Sequence, residues 1–318
     1  MEHTVESAMA MEGERFRSGF VLLWGRPNVG KSTLLNAILG RKVAIVTPKP
    51  QTTRNRIAGV LTTKTAQFVF VDTPGIHAPH DALGEYMLAT AREALPDADV
   101  VLFVVDASLP PREADREALR LLQSIETPTL LVLNKIDLIT EEILAERREE
   151  YAALGSFSDT IAVSAVQEAG TQGLLQRTEE LLPIGPMYYP AEMVSDHPDS
   201  FLIAELVREQ ALLQTQKEVP YSLAVIVEEM APRPEDLIYV RAVLYVERDS
   251  QKKILIGQGG NKLREIGKAA RAQAEALLGK RIFLDLWVKV REHWRDDESV
   301  LARFGYPIPK KRKKRKAR

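Results

Sequence analysis

The first 182 residues alternate short apolar segments with longer amphipathic ones. The short segments have the length and β-branched content of strands and lie at residues 20–24, 67–72, 99–106, 129–134 and 160–164. Patterns of helical period, such as 112–126 and 141–154, separate them. Several of these strands are apolar throughout, which is typical of strands covered on both faces. The alternation predicts βαβ crossovers and a mainly parallel, doubly wound α/β sheet, with residues 56–63 as an antiparallel edge partner of 67–72.

This rhythm stops at residues 183–200, a segment with four prolines that predicts an interdomain connection. A helix (202–214), two alternating strands (222–230 and 237–247), a glycine turn, a long helix ending near Gly279 and a strand (281–290) follow, which predicts a smaller α+β module. We expect five parts: a flexible N-terminal extension (1–17), the α/β domain (18–184), a linker (185–200), the α+β domain (201–306) and a basic tail (307–318).

Composition narrows the class of protein. A chain of 318 residues favours two domains, and the absence of cysteine excludes disulfides and thiolate metal sites. No apolar run approaches the ~20 residues that span a bilayer, and the acidic N-terminus lacks the layout of a signal peptide. We therefore expect a cytoplasmic protein, and a monomeric one.

Charge is distributed unevenly along the chain. Residues 1–200 hold 18 Lys+Arg against 28 Asp+Glu, whereas residues 201–318 hold 25 against 16. Eight of the basic residues lie in the last nine positions. A basic second half predicts a phosphate-rich partner. The tail itself has three interpretations: a solubilising segment, a weak and salt-sensitive membrane contact, or sequence-independent affinity for RNA, which we favour.

Residues 25–32 spell G-x-x-x-x-G-K-S directly after a predicted strand and directly before a predicted helix. In that context the pattern predicts a phosphate-binding loop whose backbone amides wrap a nucleotide's phosphates. Lys31 would neutralise the β- and γ-phosphates, and the Ser32 hydroxyl would ligate magnesium. We expect nucleotide contacts from Gly25, Arg26, Pro27, Asn28, Val29, Gly30, Lys31, Ser32 and Thr33.

A motif at the end of the strand 129–134 predicts which nucleotide base is bound. It comprises Asn134, Lys135 and Asp137. A carboxylate at Asp137 can accept hydrogen bonds from N1–H and the 2-amino group of guanine, and adenine offers no such pair of donors. Sites of this kind discriminate by roughly 10⁴ to 10⁵. The backbone of Ser164 and Ala165, after the next strand, is expected to meet guanine O6.

Two further segments predict sensing of the γ-phosphate. In Asp72-Thr73-Pro74-Gly75, Asp72 would hold magnesium through a water and the Gly75 amide would meet the γ-phosphate. In residues 51–54 (QTTR), motif alignment favours Thr53 over Thr52 as a second hydroxyl ligand. The expected magnesium set is thus Ser32, Thr53 and Asp72, in two switch segments that GTP orders and GDP relaxes.

The position after Gly75 holds Ile76, where many GTPases have a glutamine that orients the attacking water. An aliphatic side chain cannot do so. We therefore predict slow intrinsic hydrolysis, assisted by a backbone group, a water or a partner, with no side chain assigned as general base. His77 is interpreted as a surface group.

Residues 254–267 (ILIGQGGNKLREIG) carry a second glycine turn without the G-K-S ending. A G-x-x-G turn between two helices with basic flanks is typical of KH modules, which clamp about four single-stranded nucleotides. The alternative is a helix–helix turn on a solvated face. The expected RNA contacts are Lys253, Ile254, Ile256, Gly257, Gln258, Gly259, Gly260, Lys262, Arg264 and Lys268.

Taken together, these motifs resemble the Era family of bacterial GTPases with a C-terminal KH domain. The resemblance rests on residues 25–36, 51–54, 72–77, 134–137 and 163–165 in the first half, and on 254–267, 286–298 and 302–306 in the second. It implies a P-loop GTPase domain followed by a smaller type II KH domain, with GTP/GDP and magnesium as cofactors. It also implies binding of 16S rRNA near its 3′ end, maturation of the 30S subunit and peripheral contact with the cell membrane.

Two other functions compete with this interpretation. A tRNA-modifying or ribosome-assembly GTPase of a sister family would lack the KH signature. An RNA-binding protein with a purely structural nucleotide site would not need the intact Lys31, Ser32, Asp72 and Asp137. We expect GTP to order the switches and raise RNA affinity, and hydrolysis to lower that affinity.

Overall fold

The computed structural model describes residues 16–123 and 125–308, which contain a six-stranded and a three-stranded sheet. The large sheet has the order β2-β3-β1-β4-β5-β6, and all neighbours are parallel except β2 and β3. The predicted doubly wound sheet with an antiparallel edge is therefore confirmed. Its strands are β1 (Arg17–Trp24), β2 (Ile57–Thr62), β3 (Ala66–Asp72), β4 (Val100–Asp106), β5 (Thr129–Asn134) and β6 (Asp159–Val163).

Helices cover both faces of this sheet: α1 (Lys31–Leu39), α2 (Ala82–Glu93), α3 (Glu113–Leu122), α4 (Glu141–Ala152) and α5 (Thr171–Leu181). Strand β4 shows why the strands read as continuously apolar. Val100, Leu102 and Val104 pack into the core on one face, and Val101, Phe103 and Val105 into the core on the other. The carboxyl ends of the parallel strands meet at one edge, where ligands of such sheets bind.

The second half forms α6 (Asp199–Gln214), β7 (Ala224–Arg233), β8 (Leu237–Val246), α7 (Asp249–Ile256), α8 (Asn261–Leu278), β9 (Arg281–Val290) and α9 (Glu298–Arg303). Strand β8 is central, antiparallel to β7 and parallel to β9. Helices α6 and α8 pack together over one face of this sheet, around Val207, Ala242 and Ile266. The smaller α+β module is therefore confirmed.

The proline-rich connection is attached to the large sheet. The buried Gln67 side chain accepts the backbone N–H groups of Tyr188 (2.7 Å) and Tyr189 (3.0 Å). On edge strand β2, the Val60 N–H donates to the Val194 carbonyl (2.8 Å). The connection thus covers part of the edge that β2 would otherwise expose. Helix α6 begins at Asp199, within the predicted linker, and the domain boundaries themselves stay predictions.

Most of the predicted N-terminal extension and the polybasic run lie outside the described residues. Within the part of the chain that the structure describes, no helix has the length and apolarity needed to cross a membrane.

Candidate functional site

The phosphate loop joins the end of β1 to the start of α1 at the ligand-binding edge of the large sheet. The Lys31 ammonium lies under the loop and donates to the carbonyls of Gly25 (3.0 Å) and Arg26 (3.1 Å). Lys31 is only 6% exposed, and this burial lowers its pKa to about 8, although the nearby Asp72 carboxylate acts in the opposite direction. The charge is thus held inside the loop that would wrap an anion.

Three oxygen-bearing side chains meet beside this lysine. Ser32 Oγ donates to Asp72 Oδ2 (2.5 Å), and Thr53 Oγ1 lies 2.9 Å from Ser32 Oγ and 3.3 Å from Asp72 Oδ2. The other carboxylate oxygen, Asp72 Oδ1, is buried with no hydrogen-bond partner among the described residues. Burial raises the pKa of Asp72. Hard oxygen ligands around an unsatisfied carboxylate fit a magnesium ion, which would satisfy Asp72 Oδ1 and favour the charged form of Asp72.

The geometry distinguishes Thr53 from Thr52. The Thr52 hydroxyl donates to the Lys49 carbonyl (2.7 Å) and contacts Thr47 Oγ1 (2.7 Å), whereas Thr53 joins Ser32 and Asp72. Thr53 is therefore the hydroxyl available to a metal at this site.

The Asp72–Gly75 segment lies directly against the phosphate loop. A Cβ built at Gly75 would lie 2.5 Å from Pro27 N, so only glycine allows this approach. Thr73 Oγ1 donates to the Leu23 carbonyl (2.9 Å), and the Ile76 N–H donates to the Gly25 carbonyl (3.1 Å). The Ile76 side chain is buried in the core. The Ile76 side chain therefore offers no polar atom to an attacking water.

The residues predicted to bind the guanine base are connected to one another and to the phosphate loop by hydrogen bonds. Asn134 donates to the Val29 carbonyl (2.8 Å) and accepts the Ala165 N–H (3.1 Å), which ties β5 to the phosphate loop and to the loop after β6. Ser164 Oγ donates to Asp137 Oδ1 (2.5 Å) and so orients that carboxylate. The Ser164 N–H donates to Ala169 O (3.0 Å). Both amides expected at guanine O6 thus have protein acceptors, and that contact has to share or replace one of them.

Lys135 is held in place from two sides. Its ammonium donates to the Asn28 carbonyl (2.9 Å) and to Asp106 Oδ2 (2.7 Å). Burial acts to raise the pKa of Asp106, but hydrogen bonds from Lys135 and Ser108 outweigh it, and the pKa is lowered. A charged Asp106 therefore positions the lysine beside the phosphate loop. Asp106 thus orients a predicted nucleotide-binding residue, although no sequence motif includes it.

A groove follows the second glycine turn, between α8 and edge strand β9. Gly257, Gly259 and Gly260 all have positive φ (72°, 59° and 79°), so the chain reverses there in a conformation that other residues rarely adopt. The groove combines an apolar wall from β9 with basic side chains from α8, and it is lined by Gly260, Leu263, Arg264, Gly267, Lys268, Arg271, Leu284 and Leu286.

Comparison with known proteins identifies both halves. A family profile described as "50S ribosome-binding GTPase" matches residues 20–135, and one described as "KH domain" matches residues 218–295. A solved structure of Era in complex with MgGDPNP and nucleotides 1506–1542 of 16S ribosomal RNA is 38% identical, with a TM-score of 0.90. It covers 92% of this chain and 99% of its own.

The chain belongs to the Era family. A second member, a tyrosine-to-alanine variant of Aquifex aeolicus Era bound to GDP·AlF₄⁻, is also 38% identical, with a TM-score of 0.89 and coverage of 92% of this chain and 100% of its own. The chain is thus a GTPase of the Era family with both of the family's domains.

Some side chains lie where the Era-family motifs did not place them. The Arg26 guanidinium pairs with the buried Asp115 of α3 (3.0 Å) and also donates to the Pro27 carbonyl (3.5 Å), so acceptors of the protein itself engage it. Lys262 donates to the Gln214 carbonyl (2.9 Å). Lys253 and Ile254 lie on α7, outside the set of residues that line the groove.

The predicted RNA contacts do not include the β9 wall of the groove. Leu284 and Leu286 alternate with the exposed Phe283 and Trp287 along β9, so the period-2 pattern already separated the two faces. Which face lines the groove depends on the packing of α8. Gly267 allows that packing, because a Cβ there would lie 3.2 Å from Leu286.

An unpredicted feature is the attachment of the first switch loop (residues 42–56) to the KH domain. The Arg54 guanidinium, 1% exposed, donates to the carbonyls of Leu223 (2.6 Å), Tyr221 (3.2 Å) and Pro220 (3.3 Å). Arg54 directly follows Thr53, one of the three residues that meet beside Lys31.

Helix α6 holds the same loop at several points. Glu209 Oε1 accepts the Val46 N–H (2.9 Å), and Arg208 donates to the Thr52 carbonyl. Lys49 donates to two carbonyls at the end of α6, those of Leu212 and Thr215. The loop therefore lies between the nucleotide site and the first helix of the KH domain.

The helix after the second switch segment contacts the KH domain as well. Asp81, the N-cap of α2, pairs with Arg295 (2.9 Å), and the Leu83 N–H donates to the Arg295 carbonyl (3.0 Å). Tyr86 packs against Tyr306, with ring centroids 5.6 Å apart. Both switch regions thus reach the second domain.

The lowered pKa of Lys31 makes nucleotide affinity depend on pH. The ammonium of the free protein deprotonates near pH 8, and bound phosphate favours the charged form and raises that pKa. We expect GDP affinity without divalent metal to be constant below about pH 7 and to fall above pH 8, by up to about tenfold per pH unit. Calorimetric titrations from pH 6.5 to 9 measure it. Lys31→Met removes this dependence and leaves only the ionisation of the ligand; an equal slope in that variant would contradict the assignment.

Proposed function

We propose that this protein binds and hydrolyses GTP with magnesium, binds 16S rRNA near its 3′ end through the KH groove, and assists maturation of the 30S subunit. The observation that carries the proposal is the meeting of Lys31, the Ser32–Thr53–Asp72 oxygens and Asp137 at one sheet edge, in a chain that also carries a basic G-x-x-G groove.

Each part of the nucleotide site has a proposed role. The amides of residues 28–32 wrap the phosphates, and Lys31 exchanges its two loop carbonyls for phosphate oxygens. Ser32, Thr53 and Asp72 would hold magnesium, which supplies positive charge to the β- and γ-phosphates. Thr73 and Pro74 hold the Gly75 amide above the loop, where it meets the γ-phosphate.

Base recognition is proposed at the other end of the site. Asp137 accepts from the guanine N1–H and 2-amino groups, and Ser164 fixes the carboxylate for that contact. Asn134 and Lys135 connect this end to the phosphate loop, while Ala165 is the amide next to guanine O6.

Slow intrinsic hydrolysis is the expected kinetic behaviour. The buried Ile76 offers no polar group to a water, and its N–H donates to Gly25. A backbone group, a second water or a partner therefore has to complete the site, as the sequence predicts.

The RNA-binding part of the proposal rests on the Era structure that aligns with 92% of this chain. That Era structure contains a 16S rRNA fragment, and this chain aligns with it across both domains. The description of the GTPase profile names the 50S subunit, but the profile covers only residues 20–135 and no part of the KH groove. We therefore assign the small subunit, whose RNA is 16S.

Coupling between GTP and RNA is proposed to run through the first switch loop. Thr53 lies at the proposed metal site, and the guanidinium of its neighbour Arg54 donates to a carbonyl of the KH domain. Lys49 and Lys262, the second residue of α8 after the glycine turn, donate to carbonyls at the same end of α6, those of Leu212, Thr215 and Gln214. A loop ordered differently by GTP and GDP would thus alter contacts beside the glycine turn.

For cellular context we propose a cytoplasmic, monomeric protein. Its basic tail would add sequence-independent affinity for rRNA and, at most, a weak contact with the inner face of the cell membrane. The eight basic residues in the last nine positions support this assignment.

The test is the affinity for a single-stranded RNA matching the 3′ end of 16S rRNA, measured with a GTP analogue, with GDP and without nucleotide. We expect the tightest binding with the GTP analogue, by at least fivefold over GDP. Equal binding in all three states would show that the two domains act independently, and no binding in any state would remove the RNA function.

A charge reversal at the turn tests the groove. Gln258→Glu places a carboxylate where the turn would approach RNA phosphates, and we expect RNA affinity to fall about tenfold or more with GTP affinity unchanged. Gln258→Ala is the matched control for loss of the side chain alone. A Gln258→Glu protein that binds RNA as tightly as Gln258→Ala would place the RNA elsewhere.

A further inference from the structure

The face of the KH sheet opposite α6 and α8 carries an unexplained set of rings. We call it the outer sheet face, and it comprises Tyr239, Arg241, Phe283, Asp285 and Trp287 on β8 and β9. Phe283 and Trp287 are each 55% exposed. Two large aromatic side chains on one strand face cost solvation free energy unless something covers them.

The Tyr239 ring packs against another aromatic ring and against two cations. Tyr239 stacks on Phe283, with centroids 5.9 Å apart and planes 18° apart. The guanidinium groups of Arg233 and Arg241 lie 5.2 and 5.7 Å from the Tyr239 ring centre. Aromatic rings interleaved with arginines form the stacking surfaces on which proteins hold unpaired bases.

The carboxylates on this face have partners of their own and therefore repel an anionic ligand less than free carboxylates would. Asp285 accepts from Tyr239 Oη (3.0 Å) and from Trp287 Nε1 (3.0 Å), and Arg241 pairs with Glu229 (3.4 Å). The two hydrogen bonds orient the Tyr239 and Trp287 rings, and Arg241, which also lies 3.6 Å from Asp285, offsets the charge of both carboxylates. The Phe283 and Trp287 side chains are left largely open to solvent.

The outer sheet face is continuous with the proposed RNA groove. Strand β9 is an edge strand, and its residues alternate between the two surfaces. Leu284 and Leu286 line the groove, while Phe283 and Trp287 lie one residue away on the other face. A KH groove holds about four nucleotides. The RNA in the Era relative comprises nucleotides 1506–1542, so most of it lies beyond such a groove.

We propose that single-stranded RNA leaving the groove passes over the free edge of β9 and stacks unpaired bases on Phe283 and Trp287. This inference rests on the proposed RNA-binding function and adds a second contact surface to it. Because stacking carries no charge, this surface contributes affinity with little dependence on salt, unlike the basic groove.

The test compares two RNAs from the same 3′-end sequence: an RNA of about four nucleotides that fills only the groove, and one extended by ten unpaired nucleotides on either side. In Phe283→Leu and Trp287→Leu the surface stays apolar but loses a ring. We expect each variant to bind the long RNA about tenfold more weakly and the short RNA unchanged. Phe283→Tyr, which keeps a ring, should bind the long RNA like the unaltered protein.

Tryptophan fluorescence gives an independent readout. Trp287 is exposed, whereas the other two tryptophans, Trp24 and Trp294, are fully buried. The long RNA should quench the Trp287 signal and the short RNA should not. If the short RNA binds but the variants hold the long RNA as tightly as the unaltered protein, the inference is wrong and the face serves a protein partner. If the short RNA does not bind at all, the proposed function fails first.

Discussion

Replacing Asp137 with asparagine is expected to change the preferred base from guanine to xanthine. The carboxylate of Asp137 matches two donors, N1–H and the 2-amino group, and asparagine would place its own NH₂ against that amino group. GTP affinity should fall by about 10⁴-fold, the range in which sites that pair buried polar groups discriminate. Xanthine has an oxygen in place of the amino group, so asparagine can pair with it.

The structure makes this substitution a conservative one for the fold. Asp137 has no part in a core cluster, and Ser164 Oγ donates to its Oδ1, a bond that an asparagine oxygen can also accept. Nucleotide binding measured with GTP and xanthosine triphosphate in parallel distinguishes specificity from damage. Glu141→Gln makes the same chemical change at an exposed carboxylate at the start of α4 and should alter neither affinity. Loss of GTP binding without gain of xanthosine triphosphate would contradict base readout by Asp137.

Local patterns predicted most of the fold because they depend on neighbours in sequence. The apolar strands, the β2–β3 edge and the turn between α7 and α8 each follow from periodicity and glycine placement over a few residues. Ser32 and Asp72 come together because β1 and β3 are parallel and end at the same edge, and Thr53 joins them because the antiparallel β2 begins beside the end of β3, with Ile57 opposite Asp72. For these residues, sequence order and sheet topology together determine the geometry.

The features that sequence could not supply are long-range pairings of polar groups. Arg26 matched the phosphate-loop pattern, yet its guanidinium bonds to Asp115, a partner 89 positions away. Arg54 matched the end of a switch motif, yet it bonds to carbonyls 166 to 169 positions away. Nothing near Arg26 or Arg54 in the chain encodes these partners, since a buried arginine is satisfied by whichever acceptors the tertiary fold provides.

Replacing Arg54 with methionine is expected to disconnect nucleotide state from RNA affinity. The guanidinium donates to three carbonyls of the KH domain and lies 5.9 Å from the centre of the buried Trp294 ring. Methionine fills similar space but leaves those carbonyls without their donor. We expect the interdomain contact to weaken by about 2–4 kcal/mol, seen as a lower melting temperature of the full chain.

The decisive quantity is the ratio of RNA affinity with GTP analogue to that with GDP. In Arg54→Met this ratio should fall towards one, while affinities for GTP analogue and GDP change by less than about threefold, because Thr53 and the metal site keep their own contacts. Arg56→Met is the matched control. Arg56 lies two positions further along the chain, its side chain is 37% exposed, and its ion pair with the exposed Asp97 is a long contact of 4.0 Å. It should keep the full ratio.

A second variant guards against loss of folding. Lys49 belongs to the same loop but is partly exposed, and Lys49→Met removes its bonds to the end of α6 without emptying a buried site. If both Arg54→Met and Lys49→Met bind nucleotide normally and keep the ratio of the unaltered protein, the switch loop does not transmit the nucleotide state. The contacts of α2 with Arg295 and Tyr306 would then connect the second switch segment to the KH domain. If the ratio falls in both variants and not in Arg56→Met, the same loop that holds Thr53 at the metal site also sets how tightly the groove holds RNA.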